Sequence, residues 1–304
     1  MDNVLTLIAG HGLPGLDGSL VSEVRGALRA LGAEVGQPDW LSPERACDLA
    51  FTGLAPAEGD AIAQRILEGW PVDAIAQPQA GRRKRLLVAD MDSTMVTGET
   101  LDELADFAGI KDRIALITAR AMNGEIDFAA ALRERVGLLA GLPESCLAQT
   151  WARIEFTPGA HALVATMKAH GAHAVLVSGG FSFFTGRVRQ SCGFDRDVAN
   201  RLIVADGRLT GAVGDPIIGR EAKLATLRAT AADLGIGPDL VVAVGDGAND
   251  LDMLREAGLG IAFHAKPVVA GEARARVDHG DLSALLYAQG YRDAEIVAPA
   301  GTRD

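Results

Sequence analysis

Three short apolar runs recur along the chain without alternation of polar and apolar positions. They are "LLVAD" (residues 86–90), "AVLVSGG" (174–180) and "LVVAVGDG" (240–247). Val, Leu and Ala dominate each run, and Gly, Asp or Ser ends it, which is typical of strands buried on both faces of a parallel sheet. The pattern therefore predicts three parallel strands.

Segments of helical period separate these strands. "PGAHALVATMKAHGA" (158–172) has Pro at its start and Gly near its end, and "EAKLATLRATAADLGI" (221–236) has helical apolar spacing with a Gly stop. Alternating strands and helices predict an α/β fold with a doubly wound parallel sheet. Ligands of such sheets bind beyond the carboxyl ends of the strands, so the polar residues that end the three runs should converge there.

Two insertions interrupt this alternation. Residues 97–155 hold mostly helical patterns, which predicts a small helical cap over the strand ends. "NRLIVADGRLTGAV" (200–213) predicts a β-hairpin, because its Asp-Gly pair is a favoured hairpin turn.

The first 80 residues form a separate pattern, which predicts a small α+β domain. Its expected strands are 4–9, 46–53 and 72–77, its expected helices are 19–33 and 57–69, and a further strand is expected near 33–40. The predicted domains are therefore 1–80 and 81–304, with the cap at about 97–155. "PQAGRRKR" (78–85) is predicted to be a linker; its basic residues favour a solvated flank over a polyanion patch, because nothing basic extends the run.

Composition narrows the class of protein. The 304 residues are 23% charged and 48% hydrophobic, as in ordinary globular proteins, and the net charge of −11 argues against nucleic acid or an anionic membrane as partner. A small anionic substrate in a local basic pocket stays compatible with this charge. Cys47, Cys146 and Cys192 have neither disulfide-framework nor zinc-site spacing, and no signal peptide or membrane span is expected, so the sequence predicts a cytoplasmic protein.

Two aspartates, Asp90 and Asp92, directly follow the first predicted strand. A simple turn would explain them. A calcium loop would not, because an EF-hand needs Asp or Asn where Thr94 stands and Gly where Met95 stands. "GDGAND" (245–250) matches the dinucleotide fingerprint only in its first two glycines, and the P-loop pattern is absent from the sequence.

Polar side chains collect at the predicted strand ends. They are Asp90, Asp92, Ser178, Asp246, Asn249 and Asp250, with Lys223 at the start of a helix. Oxygen ligands without His or Cys favour Mg²⁺, and a carboxylate cluster without a cation would repel itself. Mg²⁺ and a lysine together suit a phosphoryl group. Taken singly, Asp246 is also an ordinary turn residue, Lys223 a solvated helix charge and Ser178 a strand end; their joint occurrence favours a site.

The motifs "DMDST" (90–94), "SGG" (178–180) and "K…GDGAND" (223, 245–250) resemble those of the haloacid dehalogenase superfamily of aspartate-dependent phosphohydrolases. Together with "GETLDELA", "MNGEIDFAAALRERV" and "SGGF", the set resembles the phosphoserine phosphatase family within it, from about residue 86 to 278. The N-terminal unit resembles the ACT-like domain that precedes the catalytic domain in many bacterial members. The resemblance implies Mg²⁺-dependent hydrolysis of O-phospho-L-serine to L-serine and phosphate, the last step of serine biosynthesis.

The resemblance also implies roles for individual residues. Asp90 would be the nucleophile that forms an aspartyl-phosphate, and Asp92 the acid and then the base, with the higher pKa of the two. Mg²⁺ would be bound by the Asp90 carboxylate, the Asp92 backbone carbonyl and Asp246. The phosphoryl group would be held by Ser178, the Gly179 amide and Lys223 and oriented by Asn249, while Asp250 would steady Lys223 or a metal-bound water.

Three residues of the cap would contact the substrate by the same resemblance: Glu99, Phe128 and Arg135. Each also has a plain structural explanation, as an early-helix acid, a core aromatic residue and one of several basic residues in "LRERV". Two other functions stay open on sequence: a phosphatase or phosphotransferase for another small phosphate, such as phosphohomoserine, and an amino-acid-binding regulator with a vestigial phosphatase fold. Intact nucleophile, acid, lysine and metal aspartates argue against the regulator. Whether the N-terminal domain binds serine or forms a homodimer is also open.

Overall fold

Two sheets organise the chain in the computed structural model, which describes residues 1–10, 15–122 and 125–298. A six-stranded, wholly parallel sheet carries the three predicted strands, and an antiparallel sheet lies N-terminal to it. The predicted α/β fold with a doubly wound parallel sheet is confirmed.

The N-terminal unit is an antiparallel sheet with two helices. The elements are β1 (Asn3–Ala9), α1 (Gly18–Ala30), β2 (Glu34–Val35), β3 (Asp39–Ser42), β4 (Ala46–Thr52), α2 (Pro56–Ile66) and β5 (Val72–Pro78). The strand order is β2-β4-β1-β5, with β3 also paired to β4, so the strand expected near 33–40 is present as the short strands β2 and β3.

The strands and helices of the parallel-sheet unit are β6 (Leu86–Ala89), α7 (Ala160–Ala169), β7 (His173–Phe181), α8 (Ser182–Cys192), β8 (Arg196–Asn200), α9 (Arg220–Asp233), β11 (Val241–Gly245), α10 (Leu251–Glu256), β12 (Leu259–Phe263), α11 (Pro267–Glu272), β13 (Ala275–Val277) and α12 (Ala284–Ala288). The sheet has the order β13-β12-β11-β6-β7-β8. In β6, Leu87 and Ala89 join one hydrophobic cluster and Leu86 and Val88 another, so the strand is buried on both faces.

The predicted cap and hairpin occupy the two insertions. The cap holds four helices, and the hairpin pairs in antiparallel register around the Asp206-Gly207 turn. The elements are α3 (Thr100–Phe107), α4 (Lys111–Met122), α5 (Phe128–Gly137), α6 (Ser145–Trp151), β9 (Leu202–Ala205) and β10 (Arg208–Val213). Residues 123–124, part of the predicted cap motif, lie outside the described residues. Across the described ranges, no helix is both long and apolar enough to span a bilayer.

The predicted solvated flank is wrong at Arg82 and Lys84, whereas Arg83 and Arg85 are exposed. Arg82 is half-buried. It donates hydrogen bonds to the Asp48 carboxylate at 2.6 Å and to the Ala288 carbonyl at 3.3 Å. Lys84 is buried and donates to the carbonyls of Gly81 and Asp239, each at 2.8 Å. Arg82 therefore joins the N-terminal sheet to α12, and Lys84 joins the linker to the segment before β11. The domain boundary near residue 80 stays a prediction.

Candidate active site

A tight turn at Met91–Met95 follows β6 and places both aspartates at the sheet edge. The Asp90 amide donates to the Val244 carbonyl at 3.0 Å, and its Oδ1 accepts from the Met91 amide at 2.8 Å. Ser93 has a φ of +53°, in the left-handed region that few non-glycine residues adopt. This conformation lets the chain reverse direction, so that Asp90 and Asp92 line one cavity.

Lys223 lies in the first turn of α9 and is fully buried. Its Nζ is 2.8 Å from Asp90 Oδ2 and 2.6 Å from Asp250 Oδ1. Burial alone would lower the pKa of Lys223, but Asp90 and Asp250 outweigh burial and raise it above its ordinary value. Lys223 is therefore a buried cation between two carboxylates.

Glycine is required where Asp250 packs against β11. A Cβ on Gly245 would lie 2.4 Å from Asp250 Cγ, which no side chain can accept. The same loop donates the Gly247 amide to Asp250 Oδ2 at 3.0 Å. Both carboxylate oxygens of Asp250 are thus engaged, one by Lys223 and one by the loop.

Three carboxylates at this edge offer oxygens within 4.8 Å of one another: Asp90, Asp246 and Asp250. Burial raises the pKa of Asp246 to about 6, and the charge of Asp250 adds to the effect. Burial and Asp250 likewise raise the pKa of Asp90, against the opposing effect of Lys223. The lysine alone does not offset the negative charge, so this all-oxygen donor set fits a divalent cation.

Asp92 occupies a different environment from Asp90. Its Oδ1 accepts from the Thr100 amide at 2.8 Å and its Oδ2 from the Ser178 hydroxyl at 3.3 Å. Burial, and then the charge of Glu99, raises the pKa of Asp92 to about 7. Asp92 therefore retains a proton to near-neutral pH in the metal-free protein.

This pKa predicts a pH-dependent difference in stability between the wild type and Asp92→Asn. Because the pKa of Asp92 rises from 3.8 in its ordinary state to about 7, its favourable contribution to stability is full below pH 3.8 and is lost as the pH rises through 7. We expect Asp92→Asn to gain stability relative to the wild type over this range. Denaturant unfolding in EDTA at several pH values measures the difference; a difference that does not change with pH contradicts the prediction.

The end of β7 forms the wall beside Asp92. Ser178 is buried and accepts from the Gly180 amide at 2.8 Å. A Cβ on Gly180 would lie 2.7 Å from Asp92 Oδ2, and one on Gly179 would lie 3.2 Å from the Phe128 ring, so both glycines allow close approach. Asn200 donates to the Gly179 carbonyl at 2.8 Å and fixes this wall. The sequence patterns did not indicate Asn200.

The three predicted cap residues lie around the same cavity of about 540 Å³. Glu99 is exposed and accepts from the Ser93 hydroxyl at 3.0 Å. Phe128 begins α5 and is 39% exposed, despite the expectation that a core position explains it most simply. Arg135 is half-buried, and Asn249 lies across the cavity on the loop after β11. Lys223 and Asp250 lie behind Asp90. The other predicted site residues all line this cavity: Asp90, Asp92, Glu99, Phe128, Arg135, Ser178, Gly179, Asp246 and Asn249.

Sequence reasoning missed one wall of the cavity. Lys266, Val268 and Val269 line it from the segment after β12. The run "LGIAF" at β12 has the same apolar character as the three recognised runs and is followed by a polar segment, so the signal was present. Thr118 and Ala121 of α4 line the cavity as well.

Comparison with known proteins places the chain in a family. A model of the haloacid dehalogenase-like hydrolase family matches residues 87–255. The chain is 45% identical over 224 residues to a phosphoserine phosphatase of Archaeoglobus fulgidus, covering 73% of this chain and 65% of that one. It is 46% identical over 203 residues to a phosphoserine phosphatase of Streptococcus thermophilus, covering 67% of this chain and 94% of that one.

Solved structures agree with this placement. A haloacid dehalogenase family hydrolase from Salmonella enterica superposes with a TM-score of 0.82 at 29% identity, covering 95% of this chain and 99% of that one. A probable phosphoserine phosphatase from Vibrio cholerae gives 0.78 at 29% identity, covering 97% and 88%.

The chain belongs to the haloacid dehalogenase-like hydrolase family. Its predicted resemblance to phosphoserine phosphatases is confirmed, with several relatives of that name at 40% to 46% identity. The chain spans 65%, 63% and 54% of the length of the A. fulgidus, Streptomyces coelicolor and Mycobacterium tuberculosis relatives.

Proposed function

We propose that this protein is a Mg²⁺-dependent phosphoserine phosphatase, which hydrolyses O-phospho-L-serine to L-serine and phosphate. The observation that carries the proposal is one cavity whose lining, together with the lysine behind it, offers a partner for each of the three charged groups of phosphoserine. Lys223 lies behind Asp90 for the phosphoryl group, Glu99 has the sign for the ammonium group and Arg135 for the carboxylate. The names of the relatives support the same substrate.

The chemistry requires two aspartates in different protonation states, with Asp90 held ionised by Lys223 and a bound cation and Asp92 protonated. Asp90, held by Lys223, attacks phosphorus; an O–P bond forms as the bond to the serine oxygen breaks. Asp92, protonated near neutral pH, gives its proton to that departing oxygen. Asp92 then takes a proton from a water that attacks the aspartyl-phosphate, which releases phosphate and restores Asp90.

Ser178, the Gly179 amide, Lys223 and Asn249 would hold the phosphoryl oxygens in this reaction. The Mg²⁺ would be held by the Asp90 carboxylate, the Asp92 backbone carbonyl and Asp246, with Asp250 paired to Lys223. When bound, the ion neutralises charge that develops on the phosphoryl oxygens.

Removal of the metal gives a direct prediction. Because the oxygen donor set carries more negative charge than Lys223 offsets, EDTA should reduce phosphate release to the background rate and added Mg²⁺ should restore it. Excess Ca²⁺ should inhibit, since its larger and more flexible coordination misplaces the reacting oxygens. Full turnover by exhaustively chelated protein would contradict this assignment.

Specificity for phosphoserine should depend on Glu99 and Arg135. A closed site must pair the ammonium and carboxylate groups of the substrate or lose their hydration without compensation. We expect Glu99→Gln or Arg135→Ala to lower kcat/KM for phosphoserine by roughly 30- to 1000-fold or more, since one lost partner of a desolvated charge pair costs about 2–5 kcal/mol. The measurement is kcat/KM for phosphoserine and for p-nitrophenyl phosphate, which has neither charge and should be hydrolysed almost normally.

Arg133→Ala is the matched control for that prediction. Arg133 lies on the same helix as Arg135, but its side chain is 58% exposed and 3.4 Å from Asp215. Its replacement should leave kcat/KM unchanged for both substrates. If Arg135→Ala lowers kcat/KM equally for both substrates, Arg135 supports the fold or the chemistry and does not bind the carboxylate group of phosphoserine.

A phosphate-release assay on a panel of small phosphates, with and without Mg²⁺, tests the proposed function. The panel holds phosphoserine, phosphothreonine, phosphohomoserine and p-nitrophenyl phosphate. Preference for phosphoserine supports the proposal. Preference for another compound of the panel would make that compound the substrate in place of phosphoserine. Binding of amino acids without turnover of any phosphate would instead show a regulator.

The place of the protein in the cell follows from the same proposal. A phosphoserine phosphatase completes serine biosynthesis, and the buried free thiols of Cys47, Cys146 and Cys192 suit the reducing cytoplasm. A homodimer through the N-terminal domain stays a prediction, which sedimentation or light scattering measures.

A further inference from the structure

A carboxylate of the N-terminal sheet is buried against a loop of the parallel-sheet unit. Asp73 of β5 is 4% exposed. Its Oδ1 accepts from the amides of Asp278 and His279 at 2.8 and 3.2 Å, and its Oδ2 accepts from the amide of Gly280 at 2.7 Å. Three successive amides thus converge on one side chain that lies more than 200 positions earlier in the chain.

The packing at this contact is close. A Cβ on Gly280 would lie 3.1 Å from Asp73 Oδ2 and 3.1 Å from Ala284 Cβ, so any larger residue would press on the carboxylate. Burial raises the pKa of Asp73, while the amides and His279 favour its charged form. The segment 278–280 is therefore shaped around this one carboxylate.

The same segment forms a hydrogen bond with His264, which lies two positions before the cavity-lining residue Lys266. His264 Nε2 pairs with the Gly280 carbonyl at 2.8 Å, and the His264 amide donates to the Val277 carbonyl at 2.8 Å. His264 directly follows β12 and has a φ of +44°, a left-handed conformation that costs energy in a non-glycine residue. The contacts to 277–280 offset that cost.

Two residues further on, the chain reaches the cavity. Lys266 precedes α11 and lines the proposed substrate cavity together with Val268 and Val269. The position of this wall therefore depends on the left-handed conformation of His264, which depends on the loop that Asp73 holds.

We propose that Asp73 is a positioning residue for the substrate site, which acts through 278–280 and His264 on the wall that carries Lys266. The N-terminal sheet is then a structural part of the substrate site. The inference rests on the proposed phosphatase function for its kinetic test, while its structural test is independent of activity.

Asp73→Asn tests the inference with full-length protein. Asparagine keeps the shape but replaces one acceptor oxygen by an NH2 donor, which would face either the amide of Gly280 or those of Asp278 and His279, so the loop should shift. Because Lys266 lines the cavity but is not one of the groups that form or break bonds in the proposed reaction, we expect KM for phosphoserine to rise about tenfold and kcat to change less than about threefold. Hydrogen exchange should also become faster across 264–270.

Asp48→Asn is the matched control. Asp48 is 5% exposed on β4 and accepts from Arg82 at 2.6 Å and from Thr6 at 2.7 Å, so it is buried in the same sheet but does not contact 278–280. Its replacement should lower the melting temperature without changing KM or the exchange of 264–270. If both variants change these quantities equally, Asp73 only stabilises the fold, and the inference is wrong.

A double-mutant cycle identifies the route. Lys266→Met should itself raise KM about tenfold, and the combination with Asp73→Asn should raise it no further, because both changes remove the same contribution. If KM of the double variant instead rises by the product of the two single increases, the inference is wrong. Gly280→Ala disturbs the contact from the loop side and replaces Asp73→Asn if that variant does not fold.

The structural and kinetic readouts separate two failures. If the wild type hydrolyses no phosphoserine, the proposed function is wrong, and exchange across 264–270 still decides whether Asp73 positions this wall. If the wild type is active and exchange of this segment is unchanged in Asp73→Asn, the positioning inference alone is wrong.

Discussion

Replacement of Asp90 by Asn is expected to reduce phosphoserine hydrolysis by about 10⁴-fold or more, since nucleophile and metal ligand are lost together. The side chain accepts from the Met91 amide and lies 2.8 Å from Lys223, contacts that an amide of the same shape can partly keep. Folding should therefore survive. Steady-state phosphate release and a thermal melt on the same preparation measure the two effects.

Two outcomes would contradict this expectation. Activity within tenfold of the wild type would exclude covalent catalysis by Asp90. Loss of the cooperative melt would mean that the charge of Asp90 is needed for folding, and the activity loss would then say nothing about the nucleophile.

The second large effect is expected for Lys223→Met, on stability as well as activity. Lys223 has no exposed surface and contacts both Asp90 and Asp250, so its removal leaves two buried carboxylates without their cation. Loss of one partner of a buried ion pair costs about 3–5 kcal/mol of unfolding free energy. Because burial raises the pKa of Asp90, protonation of its carboxyl group at low pH removes part of the uncompensated charge, so the destabilisation should be smaller at pH 5 than at pH 8.

Lys168→Met is the control for this prediction. Lys168 pairs with Asp195 at 2.6 Å, but its side chain is 34% exposed. Solvent weakens such pairs, so the expected loss is at most about 1 kcal/mol. Denaturant unfolding of both variants at the two pH values gives the comparison; equal losses in the two variants would contradict the burial argument.

The strands that carry the site were predictable because they are buried on both faces. An unbroken apolar run is a strong signal for such a strand, and β6, β7 and β11 each have one. Since polar residues follow these runs directly, the sequence also indicated which side chains would meet at the sheet edge. The strands β8 and β13 lack this signal, because one is half-exposed and the other has three residues.

The contacts between the two sheets could not be predicted from local pattern. Arg82 in a basic run is typical of a solvated segment, and its burial depends on Asp48, 34 positions away. Asp73 likewise has no local signal, because its partners are the amides of 278–280, which have no side-chain chemistry to recognise. Such residues acquire their roles only from tertiary packing.

The measurement that tests the central claim most directly is a single turnover with excess enzyme and phosphoserine, quenched with acid and digested for mass spectrometry. If Asp90 attacks the substrate, the phosphoryl group should appear on the peptide that contains Asp90, at a time when serine has already been released. The same peptide from Asp90→Asn should carry no phosphoryl group. Serine release at the wild-type rate with phosphate formed in step and no phosphorylated peptide at any time would contradict hydrolysis through an aspartyl-phosphate.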